Sequence, residues 1–177
     1  MIRISGGKHR SRKLLTPDTS LTKPTMDKVR EGVFSALSFD ISNKKILDLF
    51  AGSGSYGFEA ISRGASHVTF VDKQMEAINI IKANAESLKE TNIKTVKDDV
   101  INFLENCDDK FDIVFFDPPY KLEIYEKVLE MLNKGKILNK NAIIVAESEK
   151  EIQINELDYK KIKMYNYGLA KVYILRK

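Results

Sequence analysis

Short runs of branched and aromatic residues alternate along the chain with stretches in which apolar residues recur every three or four positions. The short runs predict buried strands, and they are ILDLF (46–50), HVTFV (67–71), IKTV (93–96), DIVFF (112–116) and AIIVA (142–146). The longer stretches predict helices over about 25–38, 57–63, 74–89, 100–106 and 122–133. Because strands and helices alternate, the pattern predicts an α/β fold in which a parallel sheet carries helices on both faces.

The last part of the chain departs from this alternation. YKKIKMYNYG and LAKVYILRK predict two strands joined near Tyr167-Gly168, a pair typical of an antiparallel sheet edge. With 177 residues, 43% of them hydrophobic, we expect a single domain over 1–177, with 1–24 as a basic extension. The apolar runs are far shorter than the roughly 20 residues that cross a bilayer, and no hydrophobic stretch follows the basic start. We therefore expect a cytoplasmic protein without a membrane segment. We also expect it to be a monomer.

Cysteine and histidine are scarce in this sequence. Cys107 is the single cysteine, and His9 and His67 are the two histidines. Neither type forms a cluster with metal-ligand spacing, so we expect no disulfide framework and no bound metal.

Positive charge is concentrated near the start of the chain. Residues 1–31 contain eight Lys or Arg and three Asp or Glu, a net +5, while the whole chain carries +4, so the remainder sums to about −1. A polyanion is the natural partner of such a segment, and a merely solvated basic surface is the alternative. Gly6-Gly7 would supply a flexible turn that can follow a phosphate backbone. The basic residues proposed to contact such a polyanion are Lys8, Arg10, Arg12, Lys13 and Arg30.

A glycine-rich segment, DLFAGSGSYG (48–57), lies where the first of the strands listed above ends and a helix begins. Gly52, Gly54 and Gly57 form G-x-G-x-x-G, a spacing that lets the backbone turn tightly and approach a ligand. Asp72 ends the next strand, where a carboxylate can accept hydrogen bonds from both ribose hydroxyls. Together these features indicate an adenosine-containing cofactor, although a nicotinamide dinucleotide fits them too, and the glycines alone could form an ordinary strand-to-helix turn.

Two further carboxylates favour S-adenosylmethionine over a dinucleotide. Asp48 precedes the glycines at the end of the strand, where it can bind the amino group of a methionine moiety and would repel a pyrophosphate. Asp98 and Asp99 follow the third strand in a loop, where Asp99 is the better candidate to accept from the adenine amino group. Helix capping is the alternative role for this pair.

The motif Asp117-Pro118-Pro119-Tyr120 directly follows the strand DIVFF. It is therefore expected at the carboxyl edge of the sheet, where ligands bind in such folds. The prolines remove N–H donors and leave the Asp117 carboxylate and the Pro118 carbonyl as acceptors for an amino group. The aromatic ring of Tyr120 can stack on an unpaired base.

These motifs make the sequence resemble a known family, the RsmD-type 16S ribosomal RNA (guanine-N2)-methyltransferases, within the Rossmann-like class I methyltransferases. The resemblance is nearly full-length and rests on RISGGKHRSRKL (3–14), KPTMDKVREGVFSAL (23–37), LDLFAGSGSYGFEAISRGA (47–65), DPPY (117–120) and the terminal strand after Tyr167-Gly168. It departs from the family pattern at Lys23 and Met26, and at Ser55-Tyr56, which replaces a small-apolar pair.

The resemblance implies a doubly wound sheet of seven strands, six parallel and one antiparallel. It also implies methylation of the N2 amino group of one guanine in 16S rRNA, with S-adenosylmethionine as donor and the small ribosomal subunit or its assembly intermediate as partner. Asp117 and Pro118 would orient the amine, and no strong general base is needed. The alternatives are a DNA or RNA adenine-N6 methyltransferase, an RNA-binding protein with a vestigial cofactor fold, and a nicotinamide-dependent oxidoreductase.

Overall fold

The computed structural model of the chain describes residues 1–17, 24–119 and 124–177, with 24–26 described by their backbone alone. Within these ranges the helices are α1 (Pro24–Ala36), α2 (Ser55–Ser62), α3 (Met75–Leu88), α4 (Val100–Asn106) and α5 (Tyr125–Lys134). The strands are β1 (Ile2–Arg3), β2 (Lys13–Leu14), β3 (Lys45–Leu49), β4 (His67–Asp72), β5 (Ile93–Lys97), β6 (Phe111–Phe116), β7 (Leu138–Ser148), β8 (Lys161–Tyr167) and β9 (Ala170–Arg176). Each predicted strand and helix is present, with ends displaced by a few residues; the predicted start of the last helix, at 122–123, lies outside the described residues.

The main sheet has seven strands in the order β5-β4-β3-β6-β7-β9-β8. The first five strands are parallel to one another, whereas β9 is antiparallel to both β7 and β8. Six strands therefore run in one direction and β9 runs against them, which confirms the predicted arrangement. The chain adds β4 and β5 on one side of β3 and then continues with β6 on the other side. At this switch point the ends of β3 and β6 lie side by side.

Helices cover both faces of the sheet because the strands carry apolar side chains on both faces. Ile46 and Phe115 pack toward α1, α2 and α3, in one core cluster. Leu47 and Phe116 pack toward α4 and α5, in the other. This alternation along β3 and β6 is the double winding that the continuous apolar runs predict.

The first residues form a small β-hairpin that the sequence pattern did not predict. Strands β1 and β2 pair with Ile2 opposite Leu14 and Arg3 opposite Lys13, and a 3₁₀ turn over Gly7–His9 lies between them. Ile4 and Leu14 are buried in the same cluster as α1, α2 and α3. We call residues 1–17 the N-terminal hairpin; its inner side chains belong to the core of the main sheet.

Candidate active site

The glycines that follow β3 have different structural roles. Gly54 has φ 76°, and a Cβ there would lie 2.8 Å from the ring of Phe58; a Cβ on Gly57 would lie 2.2 Å from the ring of Phe70. These two glycines therefore allow α2 to pack closely on the sheet. Gly52, with φ 55°, is different, since the nearest atom to a Cβ there is the Phe50 carbonyl oxygen at 4.0 Å. The open space beside Gly52 is where a ligand can approach the backbone.

Asp72 ties this glycine loop to the end of β4. Its Oδ2 accepts a hydrogen bond from the Gly52 amide at 2.9 Å, and its Oδ1 accepts from the Gln74 amide at 2.8 Å. The Asp98 amide donates to the backbone oxygen of Asp72 at 3.1 Å, which brings the end of β5 alongside. Each carboxylate oxygen of Asp72 retains a second acceptor position that a ribose hydroxyl could use.

Asp48 is buried near the end of β3. It is 3% exposed, and its Oδ2 accepts from the Gly57 amide at 2.9 Å. Burial raises the pKa of Asp48 from 3.8 to about 8; the Gly57 hydrogen bond opposes the shift and the negative charge of Asp72 adds to it. A buried acid of this kind becomes ionised more easily when a cation such as an ammonium group binds beside it.

Asp117 and Pro118 follow directly on β6, where the sheet ends. Phe116, the last residue of β6, pairs with Ala146 of β7 and with Leu49 of β3. Asp117 is half-buried and Pro118 is buried. Burial, followed by the nearby charges of Glu147 and Asp48, raises the pKa of Asp117 well above its ordinary value. Tyr120, the other residue predicted to be catalytic, lies outside the described residues.

Glu147 and Tyr56 belong to the same region, although no sequence motif marks them as site residues. Glu147 is 5% exposed near the end of β7, and its Oε2 accepts from the hydroxyl of Tyr56 at 2.8 Å. The Tyr56 ring stacks on Phe115 of β6 with centroids 5.0 Å apart. A signal for Glu147 was available, because it directly follows the apolar run AIIVA, as Asp117 follows DIVFF.

Asp98 and Asp99 both bond to the start of α4. Asp99 is the N-cap, and its Oδ1 accepts from the Ile101 amide at 2.9 Å. Asp98 accepts from the Asp99 amide and from the side chain of Asn102, each at 2.8 Å. Asp99 thus has a capping function, and its exposed position at the sheet edge is consistent with the predicted adenine contact, which stays a prediction.

The N-terminal hairpin is attached to α2 through the buried carboxylate of Glu59. Its oxygens accept from the Ser5 amide at 2.8 Å, the Ser5 hydroxyl at 2.7 Å and the Gly6 amide at 2.9 Å. Arg63 also donates to Glu59, at 2.8 Å. Gly6-Gly7 is therefore not a free turn: a Cβ on Gly7 would lie 1.8 Å from the backbone oxygen of Ser62.

Four of the five residues predicted to contact RNA are exposed on this hairpin: Lys8, Arg10, Arg12 and Lys13. Two of them touch α3 or the turn that follows it, since Lys8 lies 2.7 Å from Glu90 and Arg12 donates to the Ser87 backbone oxygen at 2.7 Å.

Arg30, the fifth predicted RNA contact, is 3% exposed. It donates to the backbone oxygen of Arg3 at 2.7 Å and to Asp27 at 3.0 Å, and its Nε lies 3.7 Å from Glu59. Its position argues against a direct phosphate contact and gives it a role in holding the hairpin against α1.

The structure therefore brings together Asp48, Asp72, Asp117 and the glycine loop at the carboxyl edge of β3, β4 and β6, and adds Glu147 from β7. Among the residues that the structure describes, none of the helices is both long and apolar enough to span a bilayer. Nor do residues 1–17, 24–119 and 124–177 contain a group of three or more His, Cys, Asp or Glu side chains placed to hold a metal ion.

The strand order, the reversed β9 and the glycine loop at the switch point define a Rossmann-like class I methyltransferase fold. This fold is shared by a solved structure described as the 16S rRNA N2 G1207 methyltransferase of Thermus thermophilus in complex with S-adenosylmethionine and guanosine. The TM-score is 0.74 at 16% identity, and the match covers 90% of this chain and 44% of that chain.

The chain belongs to the family described as conserved hypothetical protein 95, whose model matches residues 2–176. It is 37% identical to the ribosomal RNA small subunit methyltransferase D of Escherichia coli (strain K12) over 85% of this chain and 76% of that protein. A solved structure of a putative methyltransferase, yhhF, from Escherichia coli superposes with a TM-score of 0.89 at 32% identity, covering 99% of this chain and 97% of that chain.

Proposed function

We propose that this protein transfers a methyl group from S-adenosylmethionine to the N2 amino group of one guanine in 16S rRNA. The observation that carries this proposal is the position of Asp117 and Pro118, at the end of β6 beside the glycine loop. The similarity to the putative methyltransferase yhhF supports methyl transfer, and the name of the Escherichia coli methyltransferase D supports the small-subunit rRNA as substrate.

The residues at the sheet edge fit S-adenosylmethionine. Gly52 leaves open space beside the backbone, and Asp72 can accept from ribose hydroxyls. Asp48 offers a buried carboxylate suited to an ammonium group, and Asp99 lies where it could accept from the adenine amine. When bound, this cofactor supplies an electrophilic methyl group on a sulfonium.

Asp117 and Pro118 orient the amine that is to be methylated. The N2 lone pair of guanine is delocalised into the ring, so acceptors for the N2 hydrogens favour a pyramidal nitrogen whose lone pair points at the methyl group. Positioning is then the main catalytic contribution. As at Asp48, positive charge that develops beside Asp117 favours its ionised form, and that carboxylate stabilises the charge on N2 during transfer. Water can take the proton afterwards.

The N-terminal hairpin is the proposed RNA-binding surface. It presents Lys8, Arg10, Arg12 and Lys13 to solvent while Glu59 attaches it to α2, the helix that follows the glycine loop. The proposed partner is the small ribosomal subunit or its assembly intermediate in the cytoplasm, bound by a monomer.

The test is transfer of labelled methyl groups from S-adenosylmethionine to small subunits purified from cells that lack this protein, followed by nucleoside analysis. We expect labelled N2-methylguanosine in 16S rRNA, and none in large subunits treated in parallel. Labelled N6-methyladenosine would instead establish the adenine-N6 alternative. Asp117→Ala should abolish the label, whereas Asp108→Asn, an exposed site near the opposite end of β6, should not.

A further inference from the structure

Glu147 lies beside Asp117 in the sheet. Phe116 of β6 and Ala146 of β7 are paired in register, and Asp117 and Glu147 are the residues that follow them on adjacent strands. Neighbouring strands are about 4.8 Å apart. The two carboxylates also influence each other electrostatically, since the charge of Glu147 contributes to the raised pKa of Asp117.

The orientation of Glu147 is set by Tyr56. Its Oε2 accepts from the Tyr56 hydroxyl, and the Tyr56 ring contacts both Phe34 and Phe115, which also contact each other. The Tyr125 hydroxyl also donates to the backbone oxygen of Glu147 at 3.0 Å. Within the described part of the chain, no donor is bonded to Oε1, although the residue is 5% exposed. Oε1 is not one of the fully buried side-chain atoms that lack a partner, because the described residues contain one such atom, Nε of Arg30; Oε1 is therefore accessible enough to accept a hydrogen bond from a ligand.

The Watson–Crick edge of guanine has two adjacent donors, the N2 amino group and N1–H. Adenine differs at the same edge, because its amino group lies next to N1, which carries a lone pair and no hydrogen. A second acceptor next to the one that holds the amine therefore matches guanine and repels adenine.

We propose that Oε1 of Glu147 accepts the N1–H of the target guanine while Asp117 and Pro118 hold its N2 amino group, so that Glu147 selects guanine over adenine. This inference rests on the proposed function and assigns a residue to base recognition within it. A site that contains a polar group for a substrate hydrogen discriminates strongly against an analogue without that hydrogen, because the protein group is then left unpaired.

The experiment measures calorimetric binding of guanosine and of 2-aminopurine riboside to the protein saturated with S-adenosylhomocysteine. Both nucleosides have the N2 amino group, but 2-aminopurine has a lone pair at N1. Wild-type protein should bind guanosine about ten- to a hundredfold more tightly. In Glu147→Gln, Tyr56 still donates to the amide oxygen, and the amide NH₂ takes the position of Oε1. The preference should therefore disappear or reverse.

Two further variants make the result specific. Glu149→Gln changes an exposed residue two positions along the chain and should retain the preference for guanosine. Tyr56→Phe removes the hydroxyl that orients Glu147 and should reduce the preference, which provides a second test if Glu147→Gln fails to fold. An unchanged guanosine preference in a folded Glu147→Gln protein, or loss of S-adenosylhomocysteine binding in that protein, would overturn the proposal. Failure of the proposed function has a separate signature, namely absence of methyl transfer to small subunits by wild-type protein.

Discussion

The carboxylate of Glu59 in α2 accepts a hydrogen bond from the Ser5 amide at 2.8 Å, across 54 residues of chain. The same side chain accepts from the Gly6 amide and lies within reach of both Arg30 and Arg63. One buried acid thus connects the N-terminal hairpin, α1 and the helix that begins at the glycine loop. The proposed RNA-binding surface and the proposed cofactor loop therefore share a rigid support.

Replacing Glu59 by Gln should loosen the hairpin. The amide NH₂ would face groups that are themselves donors, so hydrogen bonds to a charged acceptor are lost and the free energy of unfolding should fall by about 1–3 kcal/mol. Chemical denaturation would measure this, and hydrogen exchange at Ser5 and Gly6 should accelerate. Glu86→Gln, an exposed change on α3, is the matched control and should alter neither quantity. Equal stability of the two variants would contradict the anchoring role.

Asp48 should make stability depend on pH. Its pKa is about 8 in the folded protein and 3.8 as the ordinary value, so between these values the folded state retains a proton that the unfolded state releases. The contribution of Asp48 to the free energy of unfolding is therefore fully present below pH 3.8. It is lost as the pH rises toward 8, by up to about 1.4 kcal/mol per pH unit.

The measurement is urea denaturation of wild-type protein and Asp48→Asn at pH 6, 7 and 8. Asn can still accept from the Gly57 amide but does not titrate, so the variant should gain stability relative to wild type as the pH rises. It should nevertheless bind S-adenosylmethionine more weakly, because the carboxylate is missing. Parallel stability profiles for the two proteins would show that Asp48 does not titrate in this range.

Asp117→Asn should reduce turnover far more than cofactor affinity. An amide keeps one acceptor oxygen but loses the negative charge that stabilises the developing cation, and removing such a group lowers kcat by about 10²–10³-fold. Single-turnover methyl transfer to small subunits, with calorimetric binding of S-adenosylmethionine, separates the two effects. Weakened cofactor binding with near-normal turnover would place Asp117 in the cofactor site instead.

The sheet was predictable because its parallel strands are buried on both faces and appear in the sequence as continuous apolar runs, such as DIVFF. The start of β7 was not predictable, since Asn139, Lys140 and Asn141 interrupt the pattern, and Asn141 has φ 62°. Glu147 directly follows AIIVA, but no motif comparable to DPPY accompanies it, so its place in the site becomes apparent only from its hydrogen bond with Tyr56.

The sequence also does not show which charged residues are buried. A charge count treats Arg30 and Arg10 alike. Arg30 is nevertheless buried, facing the buried carboxylate of Glu59. Because Glu59 lies in another helix, this pairing is not visible in the sequence. The N-terminal hairpin escaped prediction for a similar reason. Its strands have two residues each, too few to show an alternation of apolar and polar positions. Its conformation is fixed by hydrogen bonds to side chains on α2, which is distant in sequence.

The N-terminal hairpin should account for much of the salt dependence of substrate binding. Each Lys or Arg contact with a phosphate releases counterions, so affinity for RNA falls as salt rises. Replacing Arg10, Arg12 and Lys13 by Ala should weaken binding to small subunits and reduce the slope of log affinity against log salt by about 2–3. Affinity for S-adenosylmethionine should stay unchanged, because Arg10 and Lys13 are exposed, Arg12 bonds to Ser87 of α3, and the cofactor has no phosphate.

A charge-matched control makes this result specific to the hairpin. Lys127, Lys161 and Lys163 are exposed on α5 and β8, and their replacement by Ala removes the same three positive charges. If general electrostatic attraction were responsible, both triple variants would lose the same amount of slope. We expect the full reduction in the hairpin variant and little in the control, measured by filter binding over a salt series. Equal slopes would show that the basic hairpin is a solvated surface and that the RNA contacts lie elsewhere.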